Sequence, residues 1–197
     1  MSVIRIRSAL ALLAATAALL AAAAGASAAP PKPDTQAAPE AVAAPVCTTF
    51  AAANAAGQRR VVTNNSPGLY SGTAYAPMDC GTTTIRLPYG RRALFVTRVD
   101  AELTCTGAAG QWCLGRVLYR GVEGQPNAPE PDSFAWAKSN PDAADWESNS
   151  FTRTGVVGPC SVLAGCAVVV QVQVRNHAAG LLFRVDDSTV DVDVTYF

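Results

Sequence analysis

The sequence predicts an all-β domain, an antiparallel β-sandwich with jelly-roll-like strand order, behind an N-terminal signal peptide and a disordered Pro/Ala-rich linker. Three observations predict it. In GCAVVVQVQVRNH, residues 165–177, Val168, Val170, Val172 and Val174 point one way while Gln171, Gln173 and Arg175 point the other, which is the alternation of a half-buried strand. RALFVTRVDAELTC repeats the pattern, with Phe95, Val99, Ala101 and Leu103 opposed to Arg98, Asp100 and Glu102. Helical periodicity is missing beyond residue 47, except in CTTFAAANAAG, where Phe50 and the alanines allow one or two helical turns.

Taken in order, the chain opens on MSVIRIR, with Arg5 and Arg7 as its only charges, then runs apolar over 9–24 to Ala26-Ser27-Ala28. A short positive region, an apolar stretch and a small-x-small step predict a secretory signal peptide over 1–28, cleaved near Ala28, and so an extracellular or periplasmic protein. The first cysteine, Cys47, stands too far on for lipid attachment, so the expectation is a released chain without a stable membrane anchor. Residues 29–46 carry five prolines and no aromatic residue, a composition that cannot bury enough apolar surface to fold. The domain proper spans 47–197.

Within it, strands are expected at 59–64, 82–87, 133–138, 149–157 and 165–177, and residues 92–120 read as a β-hairpin around a Gly-rich turn. At the end of the chain, apolar residues fall on odd numbers through Leu181, Phe183 and Val185 and on even ones through Val190, Val192, Val194 and Tyr196. That slip predicts a bulge or tight turn at Asp186-Asp187-Ser188-Thr189, with Asp191 and Asp193 on the wet side of the last strand. Local disulfides and the lack of a Cys-Trp-Cys spacing favour a jelly-roll order over an immunoglobulin one.

Six cysteines in an exported chain predict three disulfides. Short turn-like separations pair Cys105 with Cys113 and Cys160 with Cys166, which leaves Cys47 with Cys80. Each bridge stabilises by roughly 2–4 kcal/mol.

Composition excludes several classes. Removing residues 1–28 takes Arg5 and Arg7 from the 15 Lys+Arg, leaving 13 against 15 Asp+Glu and a net charge of −2. The cations are scattered rather than striped, so no nucleic-acid partner is expected. No Gly-x-Ser-x-Gly elbow, phosphate loop, dinucleotide fingerprint or H-E-x-x-H helix occurs, and the one histidine, His177, follows a strand end. A hydrolase would have to use two of Glu102, Glu123, Glu130 and Glu147, and the expectation is a non-catalytic protein.

The stretch SFAWAKSNPDAADWESNSF, residues 133–151, interleaves Phe134, Trp136 and Trp146 with Asp142, Asp145 and Glu147. Flat apolar faces beside hydroxyl-accepting groups suit a sugar, whose ring stacks while its hydroxyls take directed partners. The competing reading places Phe134 and Trp136 in the core, with Trp146 capping one end of the sandwich. Asp186 and Asp187 are the candidate metal ligands, for a structural Ca²⁺, although calcium needs six to eight convergent oxygens. No other cofactor is implied.

FVTRVDAELTC, the Val-Gln-Val-Gln strand and the closing FRVDDSTVDVDV resemble secreted bacterial β-sandwich proteins and jelly-roll carbohydrate-binding modules, whose last strands carry an Asp-Asp or Asp-Asn step. The resemblance covers residues 92–197 and implies glycan binding with a structural calcium. A likeness to trimeric C1q-like sandwiches implies a homo-oligomer. The functional expectation is thus a secreted sandwich that binds an extracellular glycan or cell-surface ligand through 133–151 and the 121–132 loop, with a self-associating structural protein as the alternative.

Overall fold

The computed structural model describes residues 44–125, 135–141 and 145–197. The expected signal peptide over 1–28, residues 29–43 of the expected linker, and the site candidates Phe134 and Asp142 lie outside the described residues. The strands are β1 (Cys47–Ala53), β2 (Gly57–Asn64), β3 (Gly68–Tyr70), β4 (Ala76–Leu87), β5 (Ala93–Thr106), β6 (Trp112–Tyr119), β7 (Val122–Glu123), β8 (Ala135–Lys138), β9 (Glu147–Val157), β10 (Cys166–Asn176) and β11 (Leu182–Tyr196).

They form two antiparallel sheets. The first runs β1-β2-β11-β5-β9, with β3 also paired to β11, and the second runs β4-β10-β6-β7, with β8 also paired to β6. The partners nest: β2 pairs β11, β4 pairs β10, β5 pairs β9 and β6 pairs β8. With β1, β3 and β7 set aside as additions, the outermost strands pair with each other and the inner ones in turn, which is a long hairpin rolled over itself, the jelly-roll order.

That order overturns the hairpin expected at 92–120. β5 and β6 belong to opposite sheets and do not pair, so the Gly-rich segment between them is an arch from one sheet to the other. Cys105–Cys113 bridges this arch, Cys47–Cys80 joins β1 of the first sheet to β4 of the second, and Cys160–Cys166 closes the loop ahead of β10. Three disulfides are compatible with an oxidising environment. The helical turns allowed for CTTFAAANAAG are likewise absent: residues 47–53 pair with β2 along their whole length. A ladder supplies those backbone groups with partners in one step, whereas an isolated helical turn is costly to nucleate.

The core lies between the sheets. Phe95, Leu103, Phe183, Val190 and Val192 of the first sheet face Ile85, Leu87, Val117, Val168 and Val172 of the second, all at 2 % exposure or less. Two polar side chains, Tyr119 and Arg153, lie inside with them. The Tyr119 hydroxyl donates to Arg153 O (2.8 Å) and accepts from Thr97 Oγ1 (2.9 Å), and burial pushes its pKa up to about 12. Arg153 is 4 % exposed, with Nη1 donating to Thr152 O at 2.9 Å, and burial lowers its pKa.

The slip before the C-terminal half of β11 is a β-bulge. Asp186 pairs with Glu102 and Thr189 with Asp100, so three steps on β11 match two on β5, and Asp187 takes a left-handed φ of 41°. Beyond it Asp191 and Asp193 stand on the solvent face, where Arg59 holds Asp191 through Nε–Oδ1 (3.0 Å) and Nη2–Oδ2 (2.5 Å). That paired carboxylate holds the Arg59 pKa above its usual value.

Candidate functional site

The site is built on a cross-strand row. Arg184 of β11 lies opposite Leu69 of β3 on one side and Thr104 of β5 on the other. Because Phe183 and Val185 are buried between the sheets, Arg184 and Asp186 emerge on the outer face. Trp146 immediately precedes Glu147, which pairs with Leu103, so its indole arrives over the same end of the first sheet. The result is a groove of about 340 Å³ lined by Pro67, Gly68, Leu69, Trp146, Arg184 and Asp186. Its walls are apolar, with Trp146 43 % and Leu69 56 % exposed, and the two charged side chains are half-buried.

The floor is rigid. Asn176, fully buried, donates from Nδ2 to Tyr70 O (3.1 Å) and Leu181 O (2.9 Å), and its backbone N–H bonds Gly72 O at 2.9 Å. The Tyr70 ring packs on Phe183, its hydroxyl accepts from Asp79 N at 2.7 Å, and burial pushes its pKa up to about 12. Gly68 packs closely here, since a Cβ would come within 2.7 Å of Tyr70 Oη and 2.9 Å of Asp79 Oδ2 and push those side chains aside. One amide and one phenol thus pin β3 against the turn into β11, so Leu69 and Arg184 hold their relative places.

The expected site residues separate. Trp136 is 3 % exposed and spans the core, edge-on to Phe151 (4.9 Å between centroids) and Phe183 (5.8 Å), with Nε1 donating to Asn149 O at 3.3 Å. Alternation on β8 turns it inward, which removes it as a ligand platform and gives it the core role. Asp145 accepts a hydrogen bond from Asn140 Nδ2, and Asn140 is itself tied through its backbone to Cys105 O and Gly107 N, so Asp145 orders the approach to Trp146. Glu147 is exposed at the head of β9 and accepts from Asn149 Nδ2 at 3.0 Å. Trp146 alone of the described aromatic candidates presents its ring to solvent.

Asp186 and Asp187 border different depressions. Asp186 borders the Trp146 groove, whereas Asp187 borders a separate depression with Asp100 and Glu102. Asp186 Oδ1 accepts the Asp187 amide at 2.9 Å, the local bond that stabilises an acidic turn. Among the described residues no three His, Cys, Asp or Glu side chains group as a metal site.

Sequence reasoning missed Leu69 and Arg184. Leu69 sits in SPGLY, where an apolar residue beside turn formers reads as loop filler, and Arg184 reads as one more polar position on an alternating strand. Only the β3–β11 register joins them. Compared with protein-family models, with curated proteins and with solved structures, the chain matches none.

Proposed function

We propose that this is a secreted, non-catalytic β-sandwich that binds an extracellular glycan in the Trp146 groove. The observation that carries the reading is the exposed Trp146 indole facing a groove whose other walls hold Leu69, Arg184 and Asp186. A pyranose ring stacks its apolar face on an indole, while its hydroxyls need a donor and an acceptor. Arg184 supplies the donors and Asp186 the acceptor. The groove volume lies at the low end of ligand sites, ~300–1,000 Å³, which suits a short sugar unit. Affinity electrophoresis through gels containing candidate polysaccharides tests it. Retardation should be lost in Trp146→Ala and kept in Trp136→Phe, and equal retardation of wild type and Trp146→Ala overturns the reading.

A second reading, a self-associating extracellular protein, draws on β1. All seven of its residues, CTTFAAA, are exposed, none is charged, and Phe50 at the centre is 62 % exposed. Asn54 N donates to Gly57 O at 2.9 Å, so ladder alternation aims the amides and carbonyls of Cys47, Thr49, Ala51 and Ala53 at the free edge. Such an unprotected edge is a template for a second copy. Sedimentation at rising concentration should reveal a dimer that Thr49→Pro abolishes; a monomer at every concentration removes this reading.

A further inference from the structure

One end of the sandwich gathers three segments distant in sequence. Gly90 N donates to Cys160 O at 2.8 Å and Cys160 N to Arg91 O at 3.0 Å, which joins the 88–92 turn to the 158–165 loop. Arg92 and Phe197 exchange both backbone hydrogen bonds, at 3.0 and 2.9 Å. The Cys160–Cys166 disulfide closes the loop, and Gly165 lies against the Arg86 side chain, where a Cβ would be 3.0 Å from Arg86 Cγ.

These segments show two things to solvent. The first is apolar: Leu163 is 84 % exposed, Tyr89 56 % and Val162 51 %. The second is cationic: Arg86, Arg91 and Arg92 are all exposed, and neither 86–92 nor 158–165 contains an Asp or Glu, in a chain whose formal charge is zero. A loop held this tightly has no folding reason to raise a Val-Leu pair into water, because any polar residues would close the same turn.

We infer that this end docks reversibly on an anionic lipid bilayer, with Tyr89, Val162 and Leu163 entering the headgroup–acyl boundary and Arg86, Arg91 and Arg92 binding lipid phosphates. Each part has its physical counterpart. Tyrosine favours the membrane interface, short apolar tips gain by leaving water, and arginines near an anionic surface add attraction that salt screens. A bilayer also fits protruding tips better than a protein partner does, since it needs no complementary pocket. The geometry suits display: β5 runs from Ala93 at this end to Leu103 beside Trp146, roughly 35 Å at a strand's rise per residue, so docking leaves the Trp146 groove far from the surface. The inference does not depend on what that groove binds.

Vesicle flotation of the purified secreted protein tests it, comparing phosphatidylcholine vesicles with vesicles of phosphatidylcholine and phosphatidylglycerol. Wild type should float with the anionic vesicles, remain below with the neutral ones, and detach as salt is raised. Arg91→Gln/Arg92→Gln should weaken partitioning about 30-fold, at about 1 kcal/mol per arginine. Val162→Ser/Leu163→Ser should weaken it too, and Trp146→Ala should float like wild type. All the altered side chains are exposed, and an unchanged melting temperature verifies folding; the salt arm needs no variant. Absence of flotation on anionic vesicles overturns the inference, as does flotation that neither pair of substitutions reduces. Arginine-dependent binding to heparin without vesicle binding also overturns it, by assigning the surface to a soluble polyanion.

Discussion

The Trp136 indole meets the Phe183 ring edge-on, 5.8 Å between centroids, across the interior of the sandwich from β8 to β11. The next residue on β11, Arg184, emerges on the opposite face as a wall of the Trp146 groove. The two tryptophans of the 133–151 stretch thereby acquire different tasks, and their substitutions separate. Trp136→Ala should cost about 3–5 kcal/mol, read as a lowered denaturation midpoint. Trp146→Ala should leave the midpoint within about 0.5 kcal/mol, and under the proposed glycan reading it should weaken affinity about 30-fold, the loss of an aromatic anchor worth about 2 kcal/mol.

Asn176 predicts a coupling between stability and binding. Its Nδ2 bonds the carbonyls of Tyr70 and Leu181, and both lose this donor in Asn176→Ala. Leaving buried carbonyls unsatisfied costs about 1–3 kcal/mol, and the β3 wall of the groove loosens with it. Hydrogen exchange should show the amides of residues 68–70 losing protection ahead of those in β5.

Alkaline pH should unfold the protein. Burial raises the Tyr70 and Tyr119 hydroxyls from 10.0 to about 12 in the folded chain. The unfolded chain therefore releases these protons first. The stability they contribute is complete below pH 10, falls as pH rises from about 10 to 12, and is lost above. Denaturation at fixed temperature across this range should show the decline, and Tyr119→Phe, which cannot ionise, should make it shallower.

The bulge at Asp187 predicts a stabilising substitution. Its φ of 41° is left-handed, a conformation that costs most residues roughly 1–2 kcal/mol and glycine little. Asp187→Gly should hold or raise the melting temperature, and Asp187→Val, β-branched at a positive φ, should lower it.

The disulfides should differ in worth. Cys47–Cys80 spans 33 residues and Cys105–Cys113 spans 8. In the chain-entropy account the longer loop stabilises by about 1 kcal/mol more. Paired Cys→Ala variants compared by denaturant midpoint should place Cys47→Ala/Cys80→Ala below Cys105→Ala/Cys113→Ala.

What the sequence determined by itself is what a short window can hold. Period-two alternation in 92–105 and 165–177 predicted the strands, the shift of apolar parity after Val185 predicted the bulge, and the cysteine spacings predicted the bridges. Each depends on neighbours along the chain, where sterics and burial act over a few residues. Partnership was decided by the tertiary structure. The Gly-rich segment between Thr106 and Trp112 reads as a hairpin turn because a turn and an arch use the same residues, and only nested pairing sends β6 to the other sheet. CTTFAAA is equally ambiguous, since small residues tolerate helix and strand, and the free ladder of β2 settled it. The groove follows the same rule. Trp146 was legible as an aromatic among polar residues, but Leu69 and Arg184, distant in the chain, became its neighbours because antiparallel register sets Arg184 opposite Leu69. Alternation states which side of a strand a residue takes, and says nothing of which strand will lie beside it.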